Sequence, residues 1–401
     1  MNKYLSKLDS KYFLFFVLLV CVTLQMIGYR LLEPDSWYYI EGAKNLMNSK
    51  EYVIDCNSLN INMFPPLYSI YLMPYIYFIG YTELAITTAN TILFIGSSFF
   101  IIKIVNYIYS DYKNLISAIF IIFITKFFHD AASENLLIPL LFFQVYYHLT
   151  HKKNLRYITV SIILFTLMLL AKNSSVLIIM PLIFYYTFEK TNKIKEVNWK
   201  IVMQFAFIFG VSFILSKLLN TSDYQSHPFK WGSGNYHYYD YIIQILSDFH
   251  SFFRPILFIG YPNLFPLIFG TIIFVSFLYI IAKVEKNALL FLSIFLGLFF
   301  HIFIFSNVWI ENGIIGRFLF WLSLITLGYF LKYIFIINKH FIFKIILIFF
   351  IGTRVLDYSY KRYSLLKDYK QNDIYMGITI KNKPIKSFMC YDNYLQNLNK
   401  K

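Results

Sequence analysis

Apolar runs long enough to cross a hydrocarbon core of about 30 Å recur along most of this chain, separated by short clusters of Lys, Asn and His. The sequence is 58% hydrophobic and 14% charged over 401 residues, with a mean hydropathy of +0.57. That balance lies outside the soluble globular range. The expected fold class is an all-α polytopic membrane protein of about eleven transmembrane helices.

The first run, Tyr12 to Leu32, follows the basic stretch MNKYLSKLDSK and leads into GYRLLEPDS with no small-residue cleavage site. It reads as an uncleaved first helix with a cytoplasmic N-terminus. The positive-inside rule then assigns Lys103 to Lys113, HKKNLR at 151–156, EKTNKIKEVNWK at 189–200, KVEK at 283–286 and the Lys332, Lys339, Lys344 region to the cytoplasm. Residues 130–134, 172–175, 220–254 and 307–316 lack that excess and fall outside. Position 65 is then outside and 103 inside, which leaves room for one crossing, at about 84–106. PPLYSIYLMPYIYFIG becomes an interfacial or re-entrant piece.

This organisation gives an integral membrane domain over residues 1–353, with a first outer loop at 30–83, a second large outer loop at 220–255, and a polar tail at 354–401. The tail carries ten basic and four acidic residues, which pulls against an outer position. Cys21, Cys56 and Cys390 show no metal-like spacing. An outer tail would allow Cys56 to pair with Cys390, and two unpaired thiols are the favoured alternative. No GxGxxG, GxxxxGK[ST] or internal repeat occurs. The net charge of +15 therefore points to topology and anionic lipid contact, not nucleic acid.

Against this background the insert RLLEPDSWYYIEGAKNLMNSKEYVIDCNSLNINMFPPLY, residues 30–68, is net acidic. Pro34 sets a helix start, and Asp35 or Ser36 can cap it. Trp37, Ile40, Ala43 and Leu46 or Met47 then share one face, as in an amphipathic helix lying on a bilayer. A second acid, Glu134 in HDAASENLLIPLL, stands at the outer start of a later helix, with Asp130 one turn earlier. Helix dipoles favour acids there, so capping is the plain alternative for both clusters. Ionisable groups near membrane depth are costly, by about 2.5 to 3.5 kcal/mol at a helix centre, and mark functional sites. Two convergent carboxylates can activate a hydroxyl or hold a divalent cation.

Cations fall on the same side: Lys172 in LLAKNSSV and Arg317 in IENGIIGRFLFWL. Either can snorkel to headgroups or hold a phosphate, Arg in bidentate fashion. His129, His227, His237 and His250 show no metal-ligand spacing. The aromatic loop SHPFKWGSGNYHYYDY suits sugar stacking and interface anchoring equally.

EPDSWYYIEGAKNL, closing with FPPLYSIYL before Gly80, resembles the first outer loop of the membrane glycosyltransferases of the GT-C superfamily. The nearest subgroup is the one that includes protein O-mannosyltransferases and the lipid A aminoarabinose transferase. The resemblance covers most of the membrane domain. It implies that Asp35 and Glu134 are catalytic, and that Arg317 and Lys172 bind substrate; Tyr38 and Asp130, which stand near the two acids in sequence, are further candidates for binding substrate. The chain departs from the family pattern in carrying Ser36 where Glu often follows the Asp, and in lacking prolines after Arg317.

By resemblance, the reaction moves a sugar from a polyprenyl-phosphate carrier to a glycan, lipid or protein acceptor on the outer face of the cell membrane. No nucleotide is needed, and a divalent cation held by the two carboxylates is the cofactor this chemistry allows. The alternatives from other classes are a transporter or flippase of lipid-linked saccharides, or a polymerase of them. A transporter would place ionisable groups at the midplane or show paired repeats of broken helices. A polymerase would carry its large outer loop late in the chain.

Overall fold

The computed structural model describes residues 8–27, 34–48, 50, 52–54, 59–60, 65–80, 82–128, 133–172, 175–188, 198–219, 246, 264–284, 320–337 and 352. Among them run eleven α-helices: α1 Lys11–Ile27, α2 Pro34–Asn48, α3 Leu67–Ile79, α4 Glu83–Ile108, α5 Lys113–Thr125, α6 Glu134–Thr150, α7 Leu155–Ala171, α8 Val176–Phe188, α9 Trp199–Leu219, α10 Leu264–Val284 and α11 Phe320–Lys332. A 3-10 turn, Lys126–Phe128, precedes α6, and a π-helical turn, Tyr333–Ile337, extends α11. Two short strands, β1 Val53–Ile54 and β2 Leu59–Asn60, pair antiparallel between α2 and α3, with Val53 opposite Asn60.

Long-range polar contacts set the direction of each helix. Asp9 Oδ1 accepts the amide N–H groups of Asn114 and Leu115 at 2.8 and 3.0 Å. A carboxylate 105 positions away thus supplies the cap that the start of α5 needs. At their other ends, Gln25 Nε2 donates to the Thr125 carbonyl at 2.7 Å. Helices α1 and α5 therefore run parallel, and α4 runs against them, with its Thr91 hydroxyl 3.3 Å from Met26 Sδ. Phe94 meets Phe128 at 5.6 Å and Phe100 stacks on Phe143 at 4.9 Å, so α4 and α6 descend side by side. Helices α7 and α9 also run parallel: Phe205 packs on Tyr157, and Ser212 Oγ donates to the Ile162 carbonyl at 3.1 Å.

The bundle consequently has two chemically different ends. Lys103, Lys113, Lys152, Lys153, Arg156, Lys200 and Lys332 collect at the Asp9 end. Acids and bases mix at the Gln25 end, where Glu41, Lys44, Glu134, Lys172 and Lys217 lie.

Among the described residues two helices are long and apolar enough to cross a membrane: Leu84–Ile108 with 25 residues and Trp199–Leu219 with 21. At 1.5 Å per residue they measure about 38 and 32 Å, against a hydrocarbon core of about 30 Å. The first is the run expected to cross at about 84–106. Their outward faces are apolar: Met203, Phe207, Ile214 and Leu218 of α9 are exposed at helical spacing, Leu218 to 71%. Helix α1 does the same with Tyr12, Phe15, Phe16 and Leu19. The interior carries Gln25, Asn90, Ser97, Ser98, Gln144, Ser161 and Ser212, all buried. Ser97, Ser98 and Ser212 return their hydroxyls to the carbonyl four residues back, so these small polar groups pack inside without an unmet donor.

Helix α3 is a short apolar helix. Its 13 residues span only about 20 Å, and it folds back on the first half of α4, where Tyr71 OH donates to the Ala89 carbonyl at 2.9 Å. The reversal is made at Gly80, whose φ of +94° lies in the left-handed region and whose amide closes α3 on the Ile76 carbonyl. Thr82 then caps α4, its hydroxyl accepting the Ala85 N–H at 3.4 Å. Gly80→Ala should lower stability by about 1 to 2 kcal/mol, because a Cβ resists this φ. The thermal midpoint of the detergent-purified chain measures it.

Helix α2 differs from the expected surface-lying amphipathic helix. Tyr39, Ile40, Glu41, Gly42 and Ala43 are buried in succession, and five consecutive positions cover more than one full turn. Packing against α3 and the β1 hairpin encloses this part of the helix. A one-sided apolar stripe on a bilayer would leave Glu41 in water.

Candidate functional site

The acid that opens α6 meets the cation that ends α7. Lys172 Nζ forms an ion pair with Glu134 Oε1, with side chains 17% and 12% exposed. Ser133 Oγ donates to the other carboxylate oxygen at 3.3 Å. Both positions follow from local rules. Ser133 supplies the carbonyl that accepts the Leu137 N–H at 3.1 Å, so Glu134 falls in the first turn, where the dipole favours an acid. Lys172 caps α7, its amide bonded to the Met168 carbonyl at 3.0 Å, where a cation is favoured. Antiparallel packing of α6 on α7 then brings these two helix ends together.

Two further polar side chains flank the pair. The Ser175 amide donates to the Lys172 carbonyl at 3.0 Å, which folds the α7–α8 turn onto the site. Its hydroxyl is buried and has no hydrogen-bond partner among the described residues. Asn135, next to Glu134, is fully buried.

The acidic insert is tied down at the same end. Tyr39 of α2 packs edge-on against Tyr68 at 5.2 Å. Tyr68 OH donates to Asn90 Oδ1 of α4 at 2.7 Å, and α3 also packs on α7, the helix that ends at Lys172. Tyr52 OH lies 3.2 Å from Ser69 Oγ, and burial raises this phenol well above its ordinary value, so it stays neutral. The chain of contacts from α2 through Tyr68 to α4 holds α2 and α3 at the Gln25 end of the bundle. Tyr68→Phe removes a buried hydrogen bond and should cost about 1 to 2 kcal/mol. Loss of thermal stability with the helical circular-dichroism spectrum retained is the expected readout.

The proposed site residues are thus placed unequally. Glu134 and Lys172 are in contact. Asp35 and Tyr38 lie in the first turns of α2, with Asp35 one turn before Tyr39; the described side chains begin after them. Asp130 and Arg317 lie outside the described residues, as do Cys56, Cys390 and the tail. Lys172 was expected to serve a phosphate and is engaged with Glu134. An ammonium group on one carboxylate oxygen and a hydroxyl on the other leave Glu134 poorly suited to a divalent cation, because two cations at contact distance repel.

Several buried or half-buried polar residues at this end of the bundle were not singled out from sequence. Tyr68, Tyr71 and Tyr75 share one helical face by their spacing. Asn90 stands in an apolar helix, itself a pointer to interior polar work. Glu41 is buried and pairs with Lys44 at 3.3 Å. Nothing local distinguishes Ser175 from Ser174.

An apolar cavity of about 290 Å³ lies toward the basic end, and its lining includes neither Glu134 nor Lys172. Among the described residues no group of three or more His, Cys, Asp or Glu side chains gathers in a metal-like cluster. No family model, curated protein or solved structure matches this chain.

Proposed function

We propose that this chain is a multi-pass membrane glycosyltransferase, which moves a sugar from a polyprenyl-phosphate carrier to a hydroxyl acceptor on the outer face of the cell membrane. The observation that carries this reading is the part-buried Glu134–Lys172 ion pair. Two groups 38 positions apart, each a candidate on sequence grounds, occupy one helix-end site beside the acidic insert. The apolar outward faces of α1 and α9 support the membrane setting, since a soluble monomer rarely exposes contiguous apolar surface on this scale. So does the excess of Lys and Arg over Asp and Glu at the Asp9 end of the bundle.

In this reading Asp35 takes the proton of the acceptor hydroxyl as its oxygen attacks the anomeric carbon. The bond from that carbon to the carrier phosphate breaks, and the phosphate leaves with the electron pair. Arg317 and Lys172 offset the growing negative charge on the phosphate. Glu134 holds Lys172 at the end of α7 and orients it toward the headgroup. The Lys172 ammonium supplies positive charge where a metal would otherwise stand, so transfer should survive chelation. Ser175 offers a buried hydroxyl to the substrate.

The test is purified full-length protein in detergent with a panel of polyprenyl-monophosphate hexoses and pentoses, with release of free polyprenyl phosphate as the readout. Turnover with at least one donor, retained in EDTA, is expected. Carrier release from none of the donors, alongside protein-dependent movement of lipid-linked saccharide across vesicle bilayers, would replace the reading with a transporter.

A further inference from the structure

We propose that the cavity between α4, α5, α6, α8 and α11 holds one acyl chain of an anionic phospholipid, with its phosphate at Lys332. This inference rests on the membrane setting proposed above and is independent of sugar transfer. The cavity follows α4 from Ile101 to Tyr109, α6 from Leu141 to Leu149, α8 from Ile178 to Tyr186 and α11 from Leu324 to Lys332. Each stretch covers nine residues, about 12 Å of helix rise between its first and last residue. The space is thus a slot parallel to the helix axes, and it runs in the direction in which a lipid chain lies.

Its walls are hydrocarbon along most of that length: Ile104, Val105, Leu141, Val145, Leu182 and Ile325 among them. A cavity lined this way excludes water and accepts apolar guests. Polarity appears at one end, where Lys332 and Tyr185 line the slot together with Tyr109, whose hydroxyl is engaged with the Gly328 carbonyl at 3.1 Å. That is also the end where the basic residues collect, so it offers a cation to a phosphate and a positive field to an anionic leaflet. Ile108 lines the cavity and is 48% exposed, which gives a chain a lateral way in beside α4. A long slot, apolar within and cationic at its mouth, fits a linear anionic lipid. A compact or neutral guest would leave the length or the charge unused.

The full-length chain, purified in detergent, is titrated with dioleoyl phosphatidylglycerol, dioleoyl phosphatidylcholine and a polyprenyl phosphate, and bound lipid is counted by native mass spectrometry. The expected result is one tight phosphatidylglycerol, bound at least tenfold more strongly than phosphatidylcholine. Ile104→Trp should lower that affinity at least tenfold by filling the slot. Lys332→Gln should erase the preference for phosphatidylglycerol over phosphatidylcholine while one lipid chain still binds, which separates the charge from the cavity. Unchanged phosphatidylglycerol binding in Ile104→Trp and Lys332→Gln overturns the proposal, and so does displacement of phosphatidylglycerol by an equal concentration of polyprenyl phosphate. A chain that stays monodisperse without detergent overturns the membrane setting itself. The transfer assay reads a different reaction at the opposite end of the bundle, so either proposal can fail alone.

Discussion

Asp35→Asn should lower sugar transfer by about 10² to 10⁴-fold, or about 3 to 5 kcal/mol of barrier, the contribution of a positioned general base. The substitution keeps shape and hydrogen-bonding capacity while removing the ability to take a proton. It lies in the first turn of α2, where loss of the charge removes a dipole interaction of about 0.3 to 1 kcal/mol. Folding should therefore survive, and the thermal midpoint should move by no more than a few degrees. The decisive measurement is single-turnover release of polyprenyl phosphate from a bound donor, which isolates chemistry from product release. The KM for the donor should stay near the wild-type value, because Asp35 acts on the acceptor. Full activity in this variant would leave Asp35 as a first-turn acid and nothing more, and would remove the central residue of the proposed mechanism.

The second large effect is expected at the ion pair. Glu134→Gln leaves a mostly buried ammonium without its carboxylate, and Lys172→Met leaves the reverse. Breaking a fully buried pair costs about 3 to 5 kcal/mol, and the 12% and 17% exposure of these side chains should reduce that through solvent screening to about 2 kcal/mol. Each single variant should show a clearly lowered melting temperature and at least about a hundredfold loss of transfer, in the range seen when one positioned charged group is removed. The exchange Glu134→Lys with Lys172→Glu separates the two roles. It rebuilds an ion pair with the sign reversed, so much of the stability should return, with a coupling of about 1 to 3 kcal/mol between the sites. Activity should not return, because the carrier phosphate would face a carboxylate at the end of α7. Recovery of both stability and transfer would make the pair a structural latch. Two charges placed against their helix dipoles should keep the exchange below wild-type stability.

The sequence was legible where local chemistry decides. Pro34 at the start of α2 and the 84–106 run inside α4 both appear close to their expected places. Each depends on neighbours within a few residues, which a one-dimensional reading can weigh. The environment of α2 was not legible, because an apolar stripe looks alike whether it faces lipid or protein. Burial of Tyr39 through Ala43 comes from α3 folding over it, and that fold depends on a reversal at Gly80. The cap of α5 was equally hidden, since its carboxylate, Asp9, is 105 positions away. No pattern near Asn114 announces it.

The site divides in the same way. Composition and the spacing of apolar runs were enough to specify a helical bundle, to separate its basic loops from its acidic ones, and to mark Glu134 and Lys172 as charged helix ends. Both assignments are local, one resting on the dipole at an N-terminus and the other on a C-cap. That Glu134 and Lys172 touch, that Ser175 lies buried in the turn after Lys172, and that a tyrosine contact chain ties α2 to Asn90 were decided only by the packing of α6 on α7 and of α3 on α4. The physical reason is distance along the chain. A helix end is fixed by the few residues around it, whereas a contact between two ends depends on the register of whole helices, which is summed over many weak side-chain contacts spread along each interface.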